Sequence, residues 1–261
     1  MKKSVLSILL LFSFLFVEAQ NPLVIAHRGA SAYRPENTLS AFKHAFELGA
    51  DAVEVDIWMT KDRKIVVTHD KETKRVADRN LVVPESTYAQ LQELKLQGGE
   101  RIPLFEEVLA MLPEGKKIFI EIKCCWEKGE SGNVFPEVKK LIKKYKREKD
   151  CVFIAFNPAV LADAAKKYPQ IPTYVLSGKQ DSNQKLIDLV KKNKLTGLDA
   201  HHGIINEEVS ALLIENNVPL YVWTVNKDED MKRMIANPLV KGITTDKPDA
   251  LIRCIKANQK N

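Results

Sequence analysis

The stretch VEVDIWMTKDRKIVVTHD, residues 53–70, decides how this chain is read. It has the form of two strands joined by the polar turn KDRK. Alternation along the first strand sends Val53 and Val55 to one face and Glu54 and Asp56 to the other. Two carboxylates two residues apart on one face repel each other. If the chain folds back through Lys61–Lys64, Asp56 lies nearly opposite His69. Two acids and a histidine in one patch are costly unless positive charge joins them.

Outward from this hairpin, short apolar runs alternate with amphipathic helical stretches. The strand-like runs are LVIAH (23–27), AVEVDI (52–57), KIFIEIK (117–123), VFIAF (152–156), PTYVL (172–176), TGLDA (196–200), LYVWTV (220–225) and GITT (242–245). Eight such units in 261 residues predict an α/β fold, a TIM-like (β/α)8 barrel. Asn37, Asn206 and Asp246 stand where helix caps are expected. Residues of about 58–103 do not fit the repeat and are read as a small insertion after the second strand. Barrel enzymes place function in loops of this kind.

The N-terminus carries a different signal. Lys2 and Lys3 precede the apolar run VLSILLLFSFLFV, and Val17-Glu18-Ala19 follows. This is the pattern of a secretory signal peptide over residues 1–19, with the barrel occupying 20–261. The run is short for a transmembrane helix, so the chain is expected to be exported, periplasmic or secreted, without a stable membrane anchor. Forty basic and 34 acidic residues give a net charge of +6. The charge is dispersed and no binding motif accompanies it, so no nucleic-acid partner is expected. Cys124, Cys125, Cys151 and Cys254 allow three full disulfide pairings, and sequence does not choose among them. Buried thiols are the alternative.

The polar residues share a position. His27 and Arg28 end the first strand, Glu54 and Asp56 lie on the second, and Glu121 and Lys123 end the third. C-terminal strand ends are the face where barrels do chemistry. Glu54, Asp56 and Glu121 converging would offer oxygen ligands to one divalent cation, Mg²⁺ or Ca²⁺, which would relieve their repulsion. Zinc is disfavoured because no thiolate or clustered-histidine spacing is present. A metal, Arg28, Lys123 and two histidines suit a small anionic oxygen substrate, above all a phosphate ester, with His27 and His69 as general base and general acid.

AHRGASAYRPENTLSAF (26–42) resembles the opening signature of the glycerophosphodiester phosphodiesterase family. The similarity continues in order through GADAVEVDIWMTKD (49–62), THD (68–70), IEIK (120–123), YVWTVN (221–226) and GITTDKPD (242–249). The resemblance implies a TIM-like barrel with a small insertion and metal ligands at Glu54, Asp56 and Glu121. It also implies acid–base histidines at His27 and His69, phosphate binding by Arg28 and Lys123, and Trp223 beside the alcohol portion. In the family a substrate hydroxyl attacks phosphorus first, and water then opens the cyclic ester. Two stretches depart from the pattern. KETKRVADRN follows THD where a leucine and an Arg-Thr-Thr run are common, and IAFN lacks a serine before Phe156. Both bear on head-group preference.

The expected activity is therefore a secreted, metal-dependent hydrolase cleaving glycerophosphodiesters to glycerol 3-phosphate and an alcohol. The alternatives are a phosphodiesterase acting on intact or lyso-phospholipids, and a non-catalytic phosphodiester-binding barrel. Simpler readings stand beside several residues: Glu36 as a structural neighbour of Asn37, Trp223 as core packing, and Asp246 as a helix cap. Sequence assigns no role to His201 and His202 and sets no oligomeric state.

Overall fold

Runs such as AVEVDIWM and KIFIEI leave no polar face to spare, and both are buried nearly throughout. Strands of that kind belong to a parallel sheet covered on both sides. The structure, a computed structural model, describes residues 21–123, 134–178 and 182–259. Cys124, Cys125 and the signal-like residues 1–19 lie outside these. The strands are β1 (Leu23–Ala26), β2 (Ala52–Met59), β3 (Ile65–Val67), β4 (Lys117–Ile122), β5 (Cys151–Ala155), β6 (Thr173–Ser177), β7 (Gly197–His201), β8 (Leu220–Trp223) and β9 (Val240–Thr245). β1 pairs in parallel with both β2 and β9, so eight parallel strands close into a TIM-like (β/α)8 barrel. β3 lies outside the ring, antiparallel to β2. Its register sets Asp56 opposite Thr68 rather than His69, with Thr68 N–H donating to Asp56 O at 3.0 Å.

Helices α1 (Leu39–Glu47), α2 (Tyr88–Gln92), α3 (Phe105–Met111), α4 (Val134–Lys144), α5 (Pro158–Lys167), α6 (Asn183–Lys192), α7 (Glu207–Glu215), α8 (Asp228–Ile235) and α9 (Pro248–Asn258) complete the described elements. Alternation divides each strand between two environments. Val53, Val55 and Ile57 join the core under the helices, whereas Ala52 joins the barrel interior. Glu54 and Asp56 share the parity of Ala52 and point inward.

The barrel floor is apolar: Ile25, Phe119, Val152, Tyr174 and Tyr221 pack there. The Tyr174 and Tyr221 rings meet edge to face at 4.6 Å. Glycine on the neighbouring strands makes room for them. A Cβ at Gly197 would lie 2.6 Å from the Tyr174 ring, and one at Gly242 would lie 2.8 Å from the Tyr221 ring. The lower barrel is thus plugged, and polar chemistry is confined to the C-terminal strand ends.

Between β3 and α3 the chain makes 3-10 turns at Thr73–Arg75, Val83–Glu85 and Gln97–Gly99, with α2 among them. This excursion is polar in sequence, yet it holds a small core of its own, with Trp58, Val66, Val83, Leu91, Leu94, Leu96 and Ile102. The Trp58 indole N–H donates to His69 O at 3.2 Å, anchoring the returning strand to β2.

Two cap assignments need correction. Thr38, not Asn37, caps α1, accepting from Ala41 N–H at 3.2 Å. Lys247, not Asp246, holds the cap position of α9. Asn206 does cap α7. Cys151 is a buried free thiol and Cys254 a half-buried one.

Candidate active site

The loop after β1 is built on two left-handed residues, Arg28 at φ 53° and Gly29 at φ 82°. A Cβ at Gly29 would stand 2.7 Å from the Ala41 carbonyl carbon, so the loop can rest on α1 only as glycine. The turn brings Arg28 N–H to Glu54 Oε2 at 3.0 Å.

Sheet register assembles the carboxylates. Asp56 pairs directly with Glu121 across β2 and β4, and Glu54 lies two residues back on the same face. Oxygens of Glu54, Asp56 and Glu121 lie within 4.8 Å of one another. Their residues are 3%, 1% and 8% exposed. Lys123 Nζ stands 2.8 Å from Glu121 and 3.1 Å from Asp56. Arg28 Nε is 3.4 Å from Asp56. Asn37, left-handed at φ 57°, donates to Asp56 Oδ2 at 2.7 Å.

Two cations do not balance three buried carboxylates. Burial, then Asp56 and Glu121, push Glu54 well above the usual carboxylate range. Burial and Asp56 push Glu121 to about 7. Burial alone would raise Asp56 too, but Lys123 and Arg28 outweigh it and bring Asp56 to about 2. Glu54 Oε1 and Asp56 Oδ1 remain buried without a hydrogen bond; the Lys123 contact to Asp56 is an ion pair without hydrogen-bond geometry. An all-oxygen donor set with orphaned oxygens and a deficit of positive charge fits a hard divalent cation.

The two histidines are held in the same way. His27 Nδ1 lies 2.7 Å from Asp246 Oδ1, and His69 Nδ1 lies 2.6 Å from Asp70 Oδ1. A carboxylate on Nδ1 selects the tautomer that leaves Nε2 for substrate. Asp246 is itself fixed by Ser31 Oγ at 2.9 Å and Asn226 Nδ2 at 2.5 Å. Burial pushes His69 below its ordinary value, against the pull of Asp56.

Arg75, from the first turn of the excursion, ties these parts together. Its Nε donates to Asp70 at 2.6 Å, and its Nη atoms grip both oxygens of Glu36 at 2.7 Å. Glu36 in turn accepts from Arg28 at 3.0 Å. Glu36, read from sequence as a structural neighbour of Asn37, thus bridges Arg28 and Arg75.

His27, Arg28, Glu54, His69, Glu121 and Lys123 line one side of a cavity of about 160 Å³. Ile154, Phe156, Leu176, Trp223 and Asp199 line the other. The Trp223 indole N–H donates to Asp199 O at 3.0 Å, and its ring meets Phe156 edge-on at 5.7 Å. His201 and His202 do not line this cavity. They stack on each other at 4.7 Å, and His202 lies 3.4 Å from Asp230. A larger open groove of about 690 Å³ beside the excursion shares Glu36 and Arg75 but none of the buried carboxylates.

All eight residues singled out from sequence therefore meet at one cavity or its buried edge. Asn37, Asp70, Arg75, Asp199, Asn226 and Asp246 were not among them. Only Asp70 carried a local signal, as the neighbour of His69.

Residues 27–250 match the model of the glycerophosphoryl diester phosphodiesterase family. A glycerophosphodiester phosphodiesterase of Caldanaerobacter subterraneus subsp. tengcongensis is 35% identical over 249 residues, covering 90% of this chain and 98% of that one. The crystal structure of glycerophosphodiester phosphodiesterase from Thermotoga maritima superposes with a TM-score of 0.75 at 27% identity, covering 90% of this chain and 99% of that one. An Oleispira antarctica phosphodiesterase, solved with the product sn-glycerol-3-phosphate, shares the fold with a TM-score of 0.81 at 22% identity, covering 90% of this chain and 97% of that one.

Proposed function

The chain belongs to the glycerophosphoryl diester phosphodiesterase family, and from that premise we propose an exported, divalent-cation-dependent enzyme that cleaves glycerophosphodiesters to glycerol 3-phosphate and an alcohol. That it is a phosphoric diester hydrolase follows from the family and its relatives. The observation that best supports the finer reading is the pair of carboxylate-held histidines sharing one cavity with three buried carboxylates.

Glu54, Asp56 and Glu121 would hold the cation. Bound there, it supplies Lewis-acid polarisation of the phosphoryl oxygens. Lys123 and Arg28 add positive charge for the diester anion. One imidazole takes the proton of a glycerol hydroxyl as that oxygen attacks phosphorus. The other gives a proton to the departing alcohol oxygen. The same two groups then exchange roles while water opens the cyclic phosphate. Asp70 and Asp246 hold each ring in orientation and stabilise its protonated form. The apolar wall around Trp223 and Phe156 keeps bulk water from competing.

The test is turnover by purified residues 20–261 of glycerophosphocholine, glycerophosphoethanolamine, glycerophosphoglycerol and glycerophosphoinositol, with Mg²⁺, with Ca²⁺ and with EDTA. Release of glycerol 3-phosphate, abolished by EDTA and restored by one metal, is expected. Turnover of lysophosphatidylcholine alone would move the substrate to the lipid class. His69→Ala is expected to lose about 10²–10⁴-fold in kcat; activity at the wild-type level would refute the acid–base assignment. Export rests on the signal-like first 19 residues, and N-terminal sequencing of the exported protein would test it. Among the described residues no helix is long and apolar enough to cross a membrane.

A further inference from the structure

Asp199 is the one acid lining the cavity that the proposed mechanism does not use. On β7 the neighbours Leu198 and Ala200 face the core under the helices, so alternation turns Asp199 into the barrel. It is 1% exposed, and its Oδ1 has no hydrogen-bond partner. No lysine or arginine pairs with it among the described residues; the charged group it feels is Glu121, also an acid. Ile154, Phe156, Leu176 and Trp223 line the cavity with Asp199, and the Tyr174 and Tyr221 phenols lie near enough to feel its charge. The Trp223 indole N–H is already taken by the Asp199 backbone carbonyl. Beside the Thr224 and Thr244 that also line the cavity, the Asp199 carboxyl is the buried polar group on the Trp223 side whose oxygen has no hydrogen-bond partner among the described residues.

A buried carboxyl with an orphaned oxygen is a standing cost, and such groups call for an explanation in a folded protein. A ligand group seated in the cavity removes that cost. A cavity of about 160 Å³ holds roughly five waters' share of liquid volume. That is room for a three-carbon polyol. The Asp199 carboxyl is buried and has no cationic partner among the described residues. A neutral hydroxyl suits that environment better than a cation, because it bonds to a carboxyl in either protonation state.

We propose that Asp199 is a specificity residue, its orphaned Oδ1 holding the terminal hydroxyl of the substrate's glycerol portion on the side of the cavity that carries Trp223 and Phe156. This rests on the glycerophosphodiester reading above. A site built to bond a hydroxyl rejects an analogue that lacks it, because its own polar group is then left unpaired.

The test is binding by the metal-loaded protein of sn-glycerol 3-phosphate and of propane-1,2-diol 1-phosphate, which lacks the terminal hydroxyl. Wild type, Asp199→Asn and Asp199→Leu are compared by calorimetry, with their melting temperatures. Wild type is expected to prefer glycerol 3-phosphate by about tenfold or more. Asp199→Asn, which keeps the shape and a hydrogen-bonding group, retains the preference. Asp199→Leu abolishes it by weakening glycerol 3-phosphate alone, and melts no lower than wild type, since it removes an unpaired buried polar group. A wild type without preference overturns the proposal and needs no variant. So does an Asp199→Leu protein that keeps the wild-type preference or weakens both ligands equally. If no diester is turned over while the Asp199-dependent preference persists, the catalytic reading fails and this one stands.

Discussion

Replacing Lys123 with methionine keeps the stem and deletes the charge. Lys123 Nζ lies 2.8 Å from Glu121 and 3.1 Å from Asp56, with its side chain 9% exposed. Without it, Arg28 alone faces Glu54, Asp56 and Glu121. Breaking a buried pair by removing one partner costs about 3–5 kcal/mol. The depression of Asp56 from 3.8 to about 2, to which Lys123 is the leading favourable contributor, corresponds on its own to about 2.4 kcal/mol. The two routes agree in scale. For a chain of this size that loss lowers the melting temperature by about 6–20 °C. The assay is thermal unfolding in EDTA at pH 8 and at pH 5, then with saturating Mg²⁺ or Ca²⁺. At pH 5 Glu121, whose pKa is pushed to about 7, is protonated, so the loss shrinks. A divalent cation restores part of the stability at pH 8, because it supplies the positive charge the carboxylates lack. An unchanged melting temperature in EDTA at pH 8, or a loss that no divalent cation relieves, would refute the electrostatic account of this cluster.

Wild type in EDTA should also lose stability as pH rises. Glu121 has a folded pKa of about 7 against 4.5 unfolded, so its contribution is complete below 4.5 and disappears as pH passes 7. The change is about 3 kcal/mol, and added cation flattens it; a melting temperature in EDTA that is constant from pH 5 to 8 would contradict this. Arg75→Gln frees Asp70 and Glu36 and should lower kcat about 10–100-fold with little change in KM. Asp70, no longer neutralised, should raise the pKa of His69 and move the acid limb of the pH–rate profile upward; an unmoved limb argues against a positioning role. Gly29→Ala forces a side chain into a left-handed position against α1 and should destabilise by at least about 1–3 kcal/mol in urea titration. A variant as stable as wild type would show that the loop can shift.

The barrel and the carboxylate face were legible because both depend on short-range regularities. Period-two alternation decides that Glu54 and Asp56 share a face, and repeated strand–helix units decide closure. The excursion after β3 looked polar because its small core draws single apolar residues, such as Val83, Leu91 and Ile102, from separate turns. No periodicity marks such a core. Asn37 and Asp246 were read as caps because both precede helix starts and both are good capping types. In the folded chain their side chains serve Asp56 and His27 instead. Asp199 sits in TGLDA with no local sign of its role, since its isolation is a property of what other strands bring near it. Sequence by itself determined the strand count, the inward parity of the acids and the two histidines at strand ends. Tertiary structure decided which side chain from the excursion or from the closing strand meets each of them. Alternation along a strand is local geometry, whereas partnership across the barrel depends on register and closure among segments as many as 219 residues apart.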